Sequence, residues 1–222
     1  MRIFFGQANS IILTENLLKK GAEDALNTIR RYYEFRYTPW IFGTKDPLME
    51  VYKGSQFFTH SPLMSMIYQP LEQYKQFSRI RPITLREFIS SVDEPGKTVL
   101  LPSISMLKGY WLGDTLKNNS QPTMSGAFLL NGWEYKGWLK DVDMRGLRWL
   151  ERETIRTPLQ VEHRDKDSLV IYPRKPKYKI RVRMNNGEPY FTVKVHVAAR
   201  VGNMAETDSR EKVERLAEEK MK

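Results

Sequence analysis

Tyr135 to Glu153 reads YKGWLKDVDMRGLRWLERE. A strand-like Gly137-Trp138-Leu139 runs into an acidic pair, Asp141 and Asp143, and then into a short amphipathic run from Met144 to Leu150. Carboxylates suit a helix N-terminus, where they accept otherwise unpaired amide hydrogens and oppose the helix dipole. Leu147 and Leu150, with Trp149 beside them, allow one apolar helix face. The segment therefore predicts a strand-to-helix corner in which Asp141 and Asp143 cap the helix. Trp133, Trp138 and Trp149, three of the five tryptophans, fall in or just before it. Such a cluster suits a packed core better than a ligand cage, because each indole brings a large apolar area to bury.

Downstream lies the segment with the best-specified pairing. Tyr178, Ile180, Val182 and Met184 alternate with Lys175, Lys177, Lys179, Arg181 and Arg183. After Asn186-Gly187, Phe191, Val193, Val195 and Val197 alternate with Tyr190, Thr192, Lys194 and His196. An even-numbered loop centred on Asn186-Gly187 pairs Val182 with Phe191, Ile180 with Val193 and Tyr178 with Val195, so all six share one face. An odd loop would set an apolar face against a basic one, so the register is fixed. A second hairpin is expected around Asn131-Gly132, from Ser125–Leu130 to Glu134–Leu139.

Towards the N-terminus, Ser10–Leu13 reads as a buried strand. Thr14 caps a helix over Glu15–Lys20 that stops at Gly21, and a second helix follows from Ala22 to about Tyr33. Arg36–Phe42 reads as a strand. Asp46-Pro47 and Ser61-Pro62 are helix starts with proline in the first turn. Thr84-Leu-Arg-Glu87 is a capping box for a helix over Leu85–Ser91, and Val99–Leu107 is extended. Residues 109–121 carry little apolar pattern and mark a soft boundary. From Ala205 a charged helix carries a thin stripe of Val213, Leu216 and Ala217, a face too narrow to stand without a partner, and none follows it.

The chain has 222 residues, 41% of them hydrophobic, and 12% aromatic, enough for a real core. No apolar run approaches the roughly 18 residues of a membrane helix, and the N-terminus does not read as a signal peptide. The absence of cysteine excludes disulfides and thiolate chemistry. A net charge of +10 is unevenly placed: residues 164–183 hold eight Lys or Arg and two Asp, a net +6. Such a patch can meet nucleic acid, anionic lipid or an acidic protein. His60, His163 and His196 lack metal-ligand spacing, no Gly-x-Ser-x-Gly or phosphate loop occurs, and no cofactor is indicated. The candidate contact surface is Lys175, Lys177, Lys179, Arg181, Arg183 and Lys194. Read without interleaved aromatics, it makes a poor base-stacking platform, so nucleic acid is the second choice of partner.

Gly137-Trp-Leu-Lys-Asp-Val-Asp-Met-Arg-Gly-Leu-Arg-Trp-Leu150 resembles the "GWL…E.RG..WL" segment of the Ger(x)C family, the C-subunit lipoproteins of spore germinant receptors. Phe4 to Leu17 is similar to the family's "FGH…viigeelA" strand and helix, with Gln7 where His is usual. Ser125-Gly-Ala-Phe-Leu129 resembles its "sGlAvF" strand. Lys177–Ile180 with Gly187–Val195 resembles its "k.kikp…dGkp.itvkv" hairpin. The resemblance implies a non-enzymatic role, with two integral-membrane subunits (A and B) as partners. It also implies anchoring by a lipid on an N-terminal cysteine at the outer face of the spore inner membrane. Against that pattern the chain lacks the signal sequence, the lipobox cysteine and the first strands, and it ends where a third domain would begin. It is expected to be a truncated member, soluble as it stands.

The expectation is an α+β protein. An incomplete N-terminal α/β region (1–121) has a mixed sheet with flanking helices. A mostly antiparallel β region (122–204) holds one short helix, the tryptophan corner and the basic hairpin. The start of a helix (205–222) belongs to a further domain.

Overall fold

The computed structural model describes residues 5–31, 35–53, 66–107, 121–163, 167–202 and 209–221. The chain divides into two compact units, Met1–Gln73 with Ile80–Asp143, and Tyr74–Arg79 with Met144–Lys222. The helix start expected at Ser61-Pro62 and the loop over 109–120 lie outside the described residues.

The first unit is a mixed sheet with helices. Strands β1 (Ser10–Thr14), β2 (Trp40–Thr44) and β4 (Thr98–Leu107) run parallel, with the short β3 (Ile83–Thr84) antiparallel on β2. Strands β5 (Gln121–Asn131) and β6 (Glu134–Lys140) continue the sheet antiparallel, in the order β1-β2-β4-β5-β6. Residues 122–140, which the sequence grouped with the central region, are thus hydrogen-bonded into the N-terminal sheet. Local pattern gives a hairpin but not the strand it joins.

Helices α1 (Glu15–Lys20), α2 (Glu23–Arg30) and α5 (Leu85–Val92) pack against one side of this sheet. Their Leu18, Leu26, Leu85 and Phe88 are buried with Leu13, Ile41, Leu101, Phe128 and Leu130. The intervening strand positions, Ile12, Phe42, Ile104 and Met106, pack on the other side with Val51 of α3 (Leu48–Lys53) and with Met66 and Ile67. Alternate residues thus enter two cores, which explains why these strands read as nearly continuous apolar runs. The caps form as expected. The Leu17 amide donates to Thr14 Oγ1 at 3.3 Å, Gly21 ends α1 at φ 98°, and Thr84 and Glu87 complete a capping box. One strand is shifted: β2 starts at Trp40, just after Pro39, not at Arg36.

In the second unit, β7 (Leu159–His163), β8 (Asp167–Pro173) and β11 (Ala199–Val201) form an antiparallel sheet in the order β11-β8-β7. Helix α6 (Arg210–Met221) lies on it. Val213 is buried with Val161 and Ile171, and Leu216 and Ala217 pack around them. The stripe that the sequence left without a partner therefore has one within the chain, supplied by earlier strands. Near α4 (Pro70–Gln76), the buried Ser78 acts as a clasp for this unit. Its Oγ donates to the Tyr74 carbonyl at 2.9 Å and accepts from the amides of Ile155 at 3.1 Å and Arg156 at 3.2 Å.

The corner at Met144–Leu150 differs from expectation. It forms successive turns and a three-residue 3-10 helix, Leu147–Trp149, whose N-cap is Gly146 with no side-chain cap bond. Asp141 and Asp143 therefore do not cap a helix. The Asp141 amide donates to the Ser125 carbonyl at 2.9 Å, and the Asp143 amide closes a turn on the Lys140 carbonyl at 3.1 Å. Gly146 inside the run lowers its helix propensity, and no side chain caps it.

Candidate anionic-surface interface

Strands β9 (Lys177–Asn185) and β10 (Glu188–His196) form a two-stranded antiparallel ladder in the second unit. Asn186 at φ 50° and Gly187 at φ 84° make the tight turn, with both central residues in the left-handed region that Asn-Gly tolerates. The register is the expected one: Val182 faces Phe191, Ile180 faces Val193 and Tyr178 faces Val195.

The other face carries the cations. Lys177 stands opposite His196, Lys179 opposite Lys194, Arg181 opposite Thr192 and Arg183 opposite Tyr190. Lys175 precedes them in the chain, and all of these residues are exposed. Among the described residues, no carboxylate is ion-paired with Lys175, Lys177, Lys179, Arg181, Arg183 or Lys194. Lys179 and Lys194, directly opposed, repel and cost the hairpin stability. A surface of bound anions would relieve that repulsion, which gives this face its chemistry. Tyr190, 66% exposed beside Arg183, is an aromatic on the basic face that the sequence reading passed over. A single ring at the turn is not a run of stacking platforms.

A second cationic feature lies in the same unit, a groove of about 550 Å3 lined by Arg156, Val170, Tyr172, Arg200 and Gly202. The Arg156 guanidinium stands 5.8 Å from the Tyr172 ring centroid, and Arg200 is Tyr172's partner in the β11–β8 ladder. Sequence reasoning missed this groove because three separate segments build it.

The three tryptophans are divided between the two units. Trp133 and Trp138 pack on the first unit's core, with Trp133 edge-on to Phe88 at 6.0 Å between centroids. Lys45 Nζ sits 3.7 Å from the Trp138 ring centroid. Trp149 is buried in the second unit. Among the described residues, no helix is long and apolar enough to cross a membrane, and no three His, Asp or Glu gather as metal ligands.

Residues 1–106 match the family model of the spore germination protein N-terminal domain, and residues 125–222 match that of the "Spore germination B3/ GerAC like, C-terminal" domain. Over 207 residues the chain is 22% identical to Spore germination protein KC of Bacillus subtilis (strain 168), covering 88% of this chain and 51% of that protein. The chain thus spans about half the length of this curated relative. The crystal structure of the GerBC protein shares the fold, with a TM-score of 0.60 at 17% identity, over 94% of this chain and 57% of that one. With both halves matched in order and a GerBC-like α+β fold, the chain belongs to the Ger(x)C, or GerAC-like, family of spore germination proteins.

Proposed function

We propose that the chain serves a spore germinant receptor as a non-catalytic component. It assembles with the integral-membrane A and B subunits at the outer face of the spore inner membrane. Its basic hairpin face, Lys175, Lys177, Lys179, Arg181, Arg183 and Lys194, rests against anionic head groups there. The observation that carries this reading is the Lys179–Lys194 opposition on a face whose cations have no described carboxylate partner. Cations near an anionic leaflet contribute about 1 kcal/mol each, so several together make a useful docking energy. The reading asks no bond-making chemistry of the chain.

The test is genetic. Spores in which Lys179→Glu and Arg181→Glu replace the wild-type residues should lose much of their nutrient-triggered fall in optical density, with the protein still present at normal abundance. Unchanged germination of these spores would refute the role given to the face.

A further inference from the structure

The three-stranded sheet of the second unit has two unlike faces. Val201 and Ile171 pair across the β11–β8 ladder, and both pack with Val213 of α6. Their neighbours Arg200 and Tyr172, also a cross-strand pair, therefore project from the opposite face. Val170 and Gly202 follow the same alternation, and the Gly202 amide extends the ladder by donating to the Val170 carbonyl at 2.8 Å. With Arg156, these four residues line the groove of about 550 Å3.

The fold fixes each wall. The buried Ser78 holds the Arg156 backbone on both sides: the Arg156 amide donates to Ser78 Oγ at 3.2 Å, and its carbonyl accepts from the Ser78 amide at 2.7 Å. The Arg156 guanidinium lies 5.8 Å from the Tyr172 ring centroid. Arg200 stands directly across the ladder from that ring, so the two side chains start about 5 Å apart. Gly202 lets the ring close down over the strand, since a Cβ there would lie 2.8 Å from Tyr172 Cε2. Two guanidiniums thus flank one aromatic ring, and among the described residues neither has a carboxylate partner.

That arrangement selects its ligand by charge and by oxygen count. A carboxylate presents two oxygens, which a single guanidinium can engage in full. A phosphate monoester presents three strong acceptors and close to two negative charges, which suits a pair of guanidinium forks. Val170 and the Tyr172 ring supply an apolar surface for the carbon that the phosphate carries. We propose that the groove binds a phosphate monoester, with its oxygens on Arg156 and Arg200 and its organic part against Tyr172 and Val170. A soluble phosphate ester and the head group of phosphatidic acid offer this same chemistry. Both arginines are exposed, so the site holds phosphate alone weakly, roughly in the millimolar range. The proposal uses none of the hairpin cations and does not rest on the reading given to them.

Amide NMR spectra of the isotope-labelled chain read the site directly. The titrants are inorganic phosphate, glycerol phosphate and dihexanoyl phosphatidic acid below its micelle concentration. Saturable shifts should gather at Arg156, Tyr172, Arg200 and Gly202, and sodium chloride at matched ionic strength should not reproduce them. Tighter binding of glycerol phosphate identifies a soluble source, and tighter binding of the lipid a membrane one. Arg156→Gln with Arg200→Gln, both at exposed positions, should weaken binding about tenfold or more with the thermal midpoint unchanged. Arg200→Lys keeps the charge but loses the fork, and should weaken it severalfold. Shifts that never saturate, that chloride reproduces, or that persist undiminished in the double variant would overturn the proposal. Shifts confined to hairpin amides would overturn it too, while leaving the role of the hairpin face intact.

Discussion

The Tyr135 hydroxyl on β6 donates to Glu15 Oε1 in the first turn of α1 at 2.7 Å, joining residues 120 apart in sequence. Lys19 Nζ lies 3.3 Å from the same carboxylate oxygen and Lys45 Nζ 4.0 Å. The Tyr135 bond, ahead of the two lysines, holds the Glu15 carboxyl below its usual range. Burial first, then the bond to Glu15, pushes the Tyr135 phenol up to about 12. The latch ties the strand that enters the tryptophan corner to a helix on the first unit's core.

Removing the hydroxyl tests the latch. Tyr135→Phe should cost the first unit about 1 kcal/mol, below the usual range for a bond to a charged group because the site is partly solvated. Urea unfolding followed by tryptophan fluorescence measures it.

The pH dependence follows from the signs. Glu15 is depressed in the folded state, so its contribution is complete above its unfolded value and is lost as pH falls through the lower folded one. Tyr135 is raised, so its contribution is complete below the ordinary tyrosine value of about 10 and is lost as pH rises towards 12. Wild-type stability should fall at both ends. Tyr135→Phe should reduce the alkaline loss and weaken the acid one, as read by denaturation midpoints across pH.

Ser78 should be the costliest small substitution in the second unit. Ser78→Ala leaves the amides of Ile155 and Arg156 without their acceptor at a fully buried position, a loss of about 1–3 kcal/mol. Hydrogen exchange at those two amides should accelerate with it.

Glycine is required where β5 and β6 close up. A Cβ at Gly126 would overlap the Leu139 carbonyl oxygen and meet Trp138, so the backbone itself would have to move. Gly126→Ala should destabilise the first unit by about 1–3 kcal/mol, as overpacking does, visible in thermal unfolding of the variant.

Much of this fold is legible residue by residue. Asn186-Gly187 with period-two flanks gives a hairpin in its observed register, since a one-residue slip would flip every side chain. Thr14 and the Thr84–Glu87 box give helix starts because cap chemistry is local. Where partners come from distant segments, local pattern fails. It gives the stripe of α6 but not Val161 and Ile171 beneath it. It reads Asp141 and Asp143 as caps because it cannot weigh them against the low helix propensity of Gly146. The basic surface is legible in its residues and their common face. The Arg156–Tyr172–Arg200 groove is not, because it exists only once β8 and β11 pair beside residue 156.

Vesicle flotation is the most direct measure of the claim that the Lys175–Arg183 face meets an anionic surface. The chain should rise with vesicles containing anionic lipid, remain below with zwitterionic ones, and release as salt increases. Lys179→Glu with Arg181→Glu should abolish the recovery. Equal recovery with both lipids, or recovery undiminished by the double substitution, would contradict it.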